Sequence, residues 1–509
     1  MRLKRVLATI ALFTVLVGGC ATVSPTNPAM SEDVSAALKP FYSQTLIWAA
    51  CKESSLSSTK CATIKVPLDW AKPEAGSINL ALNYLPSTGS ADLGWIVENP
   101  GGPGGSGIDF VAGGGEQVGS TELRKHYNMV GFDPRGVQRS APIKCLSAKA
   151  TDEFLYGTTP GAIGSATEIA ATRKIMKTYI AACKKNSGAI FGHVDTVEAA
   201  RDMDVIRAVL GESKLNYLGF SYGTFLGTTY ATLYPSRVGR LVLDGAMDPS
   251  VSDEDQSANQ LKAFDQALRN YLNNCLTVSP SACPFTGSVD SAMTRITAFF
   301  KKLETTPIKT SLGSRKLTIS GGITGLIMTL YSNDYWKYTT TAFKNAFAGD
   351  GTLFLQLADF YNDRSEDGTY ASNMLEANMA VSCLDGRSNP SAAAMKAQNA
   401  RLIKLSAFFG RYWQNGALGC EQWPYPVIAH PSSYAAAGSG PILVVGTTGD
   451  PATPYWQAQN LANKILADGH LVTFNGEGHT AYGRSNECVV TAVDNYLIKG
   501  IVPAKDPNC

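Results

Sequence analysis

Serine attacks a carbonyl at neutral pH only when a neighbouring base takes its proton and an acid holds that base in place. A chain that does this chemistry must bring three distant residues together. Gly219-Phe220-Ser221-Tyr222-Gly223 supplies a candidate nucleophile, Ser221, preceded by apolar Leu215 to Leu218 and followed by helix-compatible Thr224 to Tyr234. Glycines on both sides relieve crowding at a sharp strand-to-helix turn that exposes the hydroxyl. The spacing alone is a loose pattern, so the partners decide. In sheets that use this turn, the acid and then the histidine follow the serine in chain order. His479 lies in Gly476-Glu477-Gly478-His479-Thr480, straight after a predicted strand ending at Phe474, whereas His470 precedes that strand and reads as a surface residue. Asp450, in Gly446-Thr447-Thr448-Gly449-Asp450-Pro451 just beyond an apolar strand Ile442 to Val445, is the candidate acid. An aspartate before proline is also an ordinary turn device. Glu477 is the rival acid and, two residues from His479, reads better as a loop-surface carboxylate.

The tetrahedral intermediate of such a reaction needs backbone donors for its oxyanion. Tyr222, immediately after the serine, should supply one N–H. The second belongs to the loop after strand Leu93 to Val97, Asn99-Pro100-Gly101-Gly102-Pro103-Gly104-Gly105-Ser106-Gly107, with Gly102 as first choice and Gly101 next. Glycines let the main chain approach a substrate closely. A phosphate cradle is the competing reading of this loop, but neither the lysine-containing P-loop pattern nor a GxGxxG fingerprint follows the strand.

The elements that must position these residues read as strands alternating with helices. Ala62 to Leu68 and Ile78 to Leu85 form an opening antiparallel pair around Lys72, Pro73 and Gly76. Leu93 to Val97, Asn128 to Phe132, Leu215 to Phe220, Leu241 to Leu243, Ile442 to Val445 and Leu471 to Phe474 then alternate with helical stretches. That pattern predicts an α/β fold, a mostly parallel sheet flanked by helices. Asp195 and Glu198 read as a capping pair for a helix that ends at Gly211. Between residues 247 and 438 the alternation stops, and Gln256 to Leu272 and Val289 to Leu303 read as helices. This stretch is expected to be a large helical cap over the carboxyl ends of the strands. The expected organisation is a signal segment 1–19, a tether 20–40, core 41–246, cap 247–438 and core 439–509.

A chain of 509 residues with 17% charged residues, 44 Lys and Arg against 42 Asp and Glu, is globular and carries no field that recommends nucleic acid. Arg2, Lys4 and Arg5 precede an apolar stretch, Val6 to Val17, too short to span a bilayer comfortably. The stretch ends in Val17-Gly18-Gly19-Cys20, which resembles the lipobox of bacterial lipoproteins and implies a lipidated Cys20 and an extracytoplasmic, membrane-anchored protein. Setting Cys20 aside leaves ten of 11 cysteines, an even number suited to an oxidising compartment. Neighbours in sequence suggest Cys51 with Cys61, Cys275 with Cys283, Cys145 with Cys183, Cys383 with Cys420 and Cys488 with Cys509, although connectivity is open at this level. No CxxC or His-rich spacing suggests a metal, and no cofactor is expected.

Asn99 to Gly107, Gly131-Phe132-Asp133-Pro134-Arg135-Gly136 with Arg139-Ser140, the turn at Ser221 and the Asp450 and His479 loops together resemble the tripeptidyl aminopeptidase branch of the prolyl aminopeptidase family of α/β-hydrolases. The resemblance covers nearly the whole mature chain. It implies the α/β-hydrolase fold and a serine exopeptidase that takes peptide substrates with free N-termini and releases short fragments, often tripeptides. Pro100 stands where prolyl aminopeptidases usually carry histidine, which argues against release of single prolines. The resemblance also implies that cap carboxylates hold the substrate's ammonium, and Glu376 and Asp385, on either side of Cys383, are the residues to test. Asp133 and Arg135 read as an internal ion pair that braces loops. Fold and triad do not choose the acyl group, so an esterase, amidase or envelope-lipid hydrolase is the first alternative. A non-catalytic peptide-binding lipoprotein is the second.

Overall fold

The computed structural model describes residues 34–509. The signal segment, Cys20 and the first part of the tether lie outside them. Residues 34–40, expected as tether, instead lie against the main core through Val34 and Leu38. The short helix Lys39–Tyr42 that follows buries Phe41 and Tyr42, and the Tyr42 hydroxyl donates to Asp204 at 2.8 Å. Among the described residues no helix is long and apolar enough to cross a membrane.

Among the described residues eleven strands form: β1 Ala49–Ala50, β2 Lys60–Pro67, β3 Ser77–Leu85, β4 Trp95–Asn99, β5 Asn128–Phe132, β6 Leu215–Phe220, β7 Val238–Asp244, β8 Ile308–Lys309, β9 Lys316–Leu317, β10 Ile442–Gly449 and β11 Gly469–Glu477. Nine make one sheet in the order β1-β2-β3-β5-β4-β6-β7-β10-β11, while β8 and β9 are a separate ribbon. In the nine-stranded sheet β1, β2, β3 and β5 pair antiparallel in turn, and along the sheet order from β5 through β4 to β11 every pairing is parallel. Parallel strands put all their carboxyl ends on one edge, so the loops after β4, β6, β7, β10 and β11 open side by side.

The central strands bury both faces. Val97, Tyr217, Leu241, Leu243 and Val444 belong to one apolar cluster, and their neighbours Ile96, Leu218, Val242, Leu443 and Val445 to another. That alternation is the two-residue period of a strand with helices on each side. Helix Thr196–Val209 covers the first face, with the Asp195 side chain accepting from the Glu198 N–H. Glu198 does not return the bond in a capping box. Its carboxylate meets Arg135 at 2.5 Å, a stronger partner for a buried charge than a backbone amide. Strand β4 runs two residues later than expected, because Gly94, at φ +77°, turns the chain into it and Asn99 pairs with Gly219.

After β7 the chain runs through helices Asp253–Thr277, Val289–Leu303, Ile319–Leu330, Trp336–Phe347, Thr352–Tyr361, Met374–Asp385 and Ala392–Leu405 before β10. Most of them share a third apolar cluster. Two departures from the sequence boundaries matter. Helix Ala148–Tyr156, between β5 and β6, packs Tyr156 into that third cluster and ties Asp152 to Arg364 at 2.7 Å. Helix Met374–Asp385, in contrast, sets Ala380, Val381, Cys383 and Leu384 into the main core. Local periodicity identifies a helix without saying which cluster receives it. The ten cysteines pair as Cys51–Cys61, Cys145–Cys183, Cys275–Cys283, Cys383–Cys420 and Cys488–Cys509.

Candidate active site

Ser221 sits between β6 and helix Tyr222–Leu233 at φ +56°, ψ −124°, a conformation L-residues rarely adopt. The flanking glycines make it attainable. A Cβ on Gly219 would lie 2.4 Å from the Tyr217 ring and one on Gly223 2.6 Å from the Asn99 carbonyl oxygen. The Ser221 N–H donates to the Asp244 carbonyl at 2.9 Å, which hangs the turn on the neighbouring strand.

On the adjoining loop, Gly101 lies so close that a Cβ there would sit 2.9 Å from the Ser221 Cβ. Its own N–H donates to Asn99 Oδ1 at 2.9 Å and is therefore turned into its own loop, which corrects the expectation that Gly101 could serve as an oxyanion donor. Gly102, at φ +115°, is exposed and lines the same cavity as Ser221.

Asp450 and His479 meet. His479 Nδ1 lies 2.9 Å from both Asp450 oxygens, so Nδ1–H donates to the carboxylate and Nε2 is left to accept a proton. The buried Asp450 carboxylate also accepts from the N–H groups of Ala452 and Thr453, both at 2.9 Å, and from Thr453 Oγ1 at 3.0 Å. With the Thr480 N–H at 3.3 Å, five donors fix its plane. Glu477, the rival acid, instead accepts from Asn270 Nδ2 at 2.8 Å, and burial raises its pKa. His470 is on the surface with Asp468 at 2.9 Å.

One residue that the sequence did not single out supports this loop. Asp244, fully buried at the end of β7, accepts from the Ala481 N–H at 2.9 Å and the Tyr482 N–H at 2.7 Å, two and three residues beyond His479. Burial pushes its carboxyl up to about 6 against the pull of those amides. Its signal was available: an aspartate ending an apolar strand beside the Ser221 strand. The cap contributes Tyr331, whose carbonyl accepts the His479 N–H at 2.8 Å and whose ring stands edge-on to the imidazole at 5.6 Å.

Ser221, Gly102 and His479 open into a cavity of about 490 Å³ under the cap, with Tyr331, Tyr361 and Met328 among its walls. Glu376 is the one carboxylate lining it among the described residues, and burial raises its pKa. Asp385 does not line it. At the other end of the same helix it accepts from the Thr196 N–H at 2.9 Å and Thr196 Oγ1 at 2.5 Å, and Thr196 Oγ1 in turn bonds the Tyr222 hydroxyl at 2.5 Å. Burial pushes the Asp385 carboxyl up to about 8. The expectation that Asp385 faces substrate is therefore corrected: it braces the helix behind Ser221. Asp133 and Arg135 do not pair either. Arg135 is fully buried against Asp202 at 2.6 Å and Glu198, while Asp133 takes Ser106 Oγ at 2.5 Å and Arg139 at 3.3 Å.

Proteins of known sequence resemble this chain along its length. Serine protease Hip1 of Mycobacterium tuberculosis is 32% identical over 100% of this chain and 98% of its own. The tripeptidyl aminopeptidase of Streptomyces lividans is 32% identical over 88% of this chain and 83% of its own. The chain belongs to the tripeptidyl aminopeptidase-like α/β-hydrolases. Residues 94–281 match the family described as alpha/beta hydrolase fold and residues 406–509 that described as TAP-like protein. Carboxylesterase B of M. tuberculosis is a further relative, 35% identical over 98% of this chain and 96% of its own. This α/β-hydrolase is an enzyme, and its sheet edge, cap and cavity are the parts in which its specificity must lie.

Proposed function

We propose that this α/β-hydrolase is a serine exopeptidase that cuts peptide bonds near free N-termini and releases tripeptides. Ser221 attacks the carbonyl while His479 Nε2 takes its proton. Asp450 holds the imidazole tautomer, and the Tyr222 and Gly102 amides receive the oxyanion. The proton then passes from His479 to the leaving amine, and water repeats the cycle on the acyl-enzyme. Glu376 receives the substrate ammonium, which limits how much peptide lies before the scissile bond. Cys20 anchors the chain to the outer face of the membrane by lipid. The observation that carries the reading is the shared cavity: Ser221, the Asp450-held His479 and Glu376, the one carboxylate among its described lining residues, face one space. The relatives named serine protease and tripeptidyl aminopeptidase support it.

The test is mass spectrometry of fragments released from unblocked and N-acetylated peptides by the wild type, Ser221→Ala and Glu376→Gln. Uniform short fragments from unblocked peptides alone are expected, with a loss of at least about 10⁴-fold in Ser221→Ala and a raised KM in Glu376→Gln. Cleavage of acetylated peptides at the same rate would overturn the exopeptidase reading. The relative named Carboxylesterase B favours a second reading, ester hydrolysis by the same triad. Turnover of short-chain esters with no peptide cleavage would establish that instead.

A further inference from the structure

A second cavity, of about 290 Å³, shares Pro100, Tyr331, Tyr335 and His479 with the first but contains neither Ser221 nor Gly102. Its apolar wall is Phe110 and Phe220, whose rings meet edge to face at 5.6 Å. Phe220 immediately precedes Ser221, and Thr480, also in the wall, immediately follows His479. In acyl transfer to a serine, the imidazole that accepts the hydroxyl proton delivers it to the leaving nitrogen, so the leaving group departs on the imidazole side. A cavity that holds the imidazole but lacks the nucleophile and the glycine donor lies on that side.

The rim carries one charge of each sign. Asp334 is exposed, and Arg484 spends its guanidinium on protein oxygens: Nε on the Thr480 carbonyl at 2.8 Å, Nη2 on the Glu477 carbonyl at 3.1 Å and Nη1 on Ser332 Oγ at 3.2 Å. Opposite charges at the rim confer no net charge preference, so discrimination falls to the aromatic wall.

We propose that this second cavity is the leaving-group subsite and that Phe110 and Phe220 select peptides with an aromatic or large apolar residue directly after the scissile bond. The proposal rests on the peptidase reading above. In the step concerned, the C–N bond breaks as the tetrahedral intermediate collapses, the nitrogen takes the proton from His479 Nε2, and the departing amine leaves through this cavity while the acyl group stays on Ser221 Oγ.

The experiment measures kcat/KM for two unblocked peptides with the same first three residues, one with Phe and one with Gly after the cut, together with the methyl ester of that tripeptide. The readout is the Phe to Gly ratio. In the wild type it should be about tenfold or more, the discrimination a filled apolar pocket supplies. It should fall toward one in Phe110→Ala and to an intermediate value in Phe110→Leu, which keeps more of the apolar volume in place. A wild-type ratio near one, or a ratio unchanged in both variants, overturns the subsite. Methyl ester turnover without cleavage of either peptide overturns the peptidase reading instead, so the two failures are distinguishable.

Discussion

Asp450 shows how a carboxylate comes to hold an imidazole: three backbone amides, a threonine hydroxyl and the imidazole itself converge on its two oxygens. Asp244 does related work one step away, holding the Ala481 and Tyr482 amides. Asp244→Asn puts an NH₂ group against those N–H donors, so the His479 loop should lose its registration. The expected outcome is a fall of about 10- to 100-fold in kcat/KM at pH 7.5, the range seen when groups that orient reacting side chains are changed, with unchanged circular dichroism. Ser221, Asp450 and His479 were legible because loops at strand ends and a fixed chain order restrict the choice. Asp244 was passed over because the one local signal, an aspartate ending an apolar strand, does not reveal partners that are distant backbone amides, which no sequence motif records. Asp385 was misplaced for a related reason. Nine residues beyond Glu376 on one helix is about 13 Å at 1.5 Å per residue, too far for both to face one ammonium.

Helix Met374–Asp385 carries Glu376, the carboxylate that lines the cavity. It presses on the glycine loop, since a Cβ on Gly104 would lie 2.7 Å from the Met374 carbonyl oxygen, and Asn378 Nδ2 donates to the Pro103 carbonyl at 3.1 Å. At its start Asn373 Nδ2 donates to the carbonyls of Gly136 and Ile143, each at 2.9 Å, and near its end Cys383 is bonded to Cys420. Replacing both Cys383 and Cys420 by serine should lower stability by about 2–4 kcal/mol and raise KM for unblocked peptides more than it lowers kcat. Urea midpoints and steady-state kinetics measure the two effects. A kcat loss with KM unchanged would show that the helix positions the reacting groups rather than substrate.

For the whole molecule, the pH response should follow the buried acids rather than the near-neutral net charge. The Asp385 carboxyl is held at about 8, above its unfolded value, so the stability it contributes is complete below about pH 4 and is lost as pH rises through 8. Asp385→Asn imitates the protonated form and keeps the pairing with Thr196. Its urea midpoint should match the wild type at pH 4 and exceed it by pH 8.5, the difference growing to a few kcal/mol on the order of that shift. A constant difference across this range would assign the effect to packing. The cap is joined to the core at the site, since its Tyr331 carbonyl accepts from the His479 N–H and its Ser332 hydroxyl accepts from Arg484.

By itself the sequence determined the α/β order, the parallel sheet, the turn at Ser221 and the three loops that meet there, because strand period, glycine placement and chain order are local properties. Only the tertiary structure decided which carboxylates face the cavity, that Gly101 turns its N–H to Asn99, that Arg135 pairs with Asp202 and Glu198, and that helix Ala148–Tyr156 joins the cap. Each of these depends on contacts between residues distant in the chain. Hydrogen bonds and burial then select one partner among several that local sequence leaves equivalent.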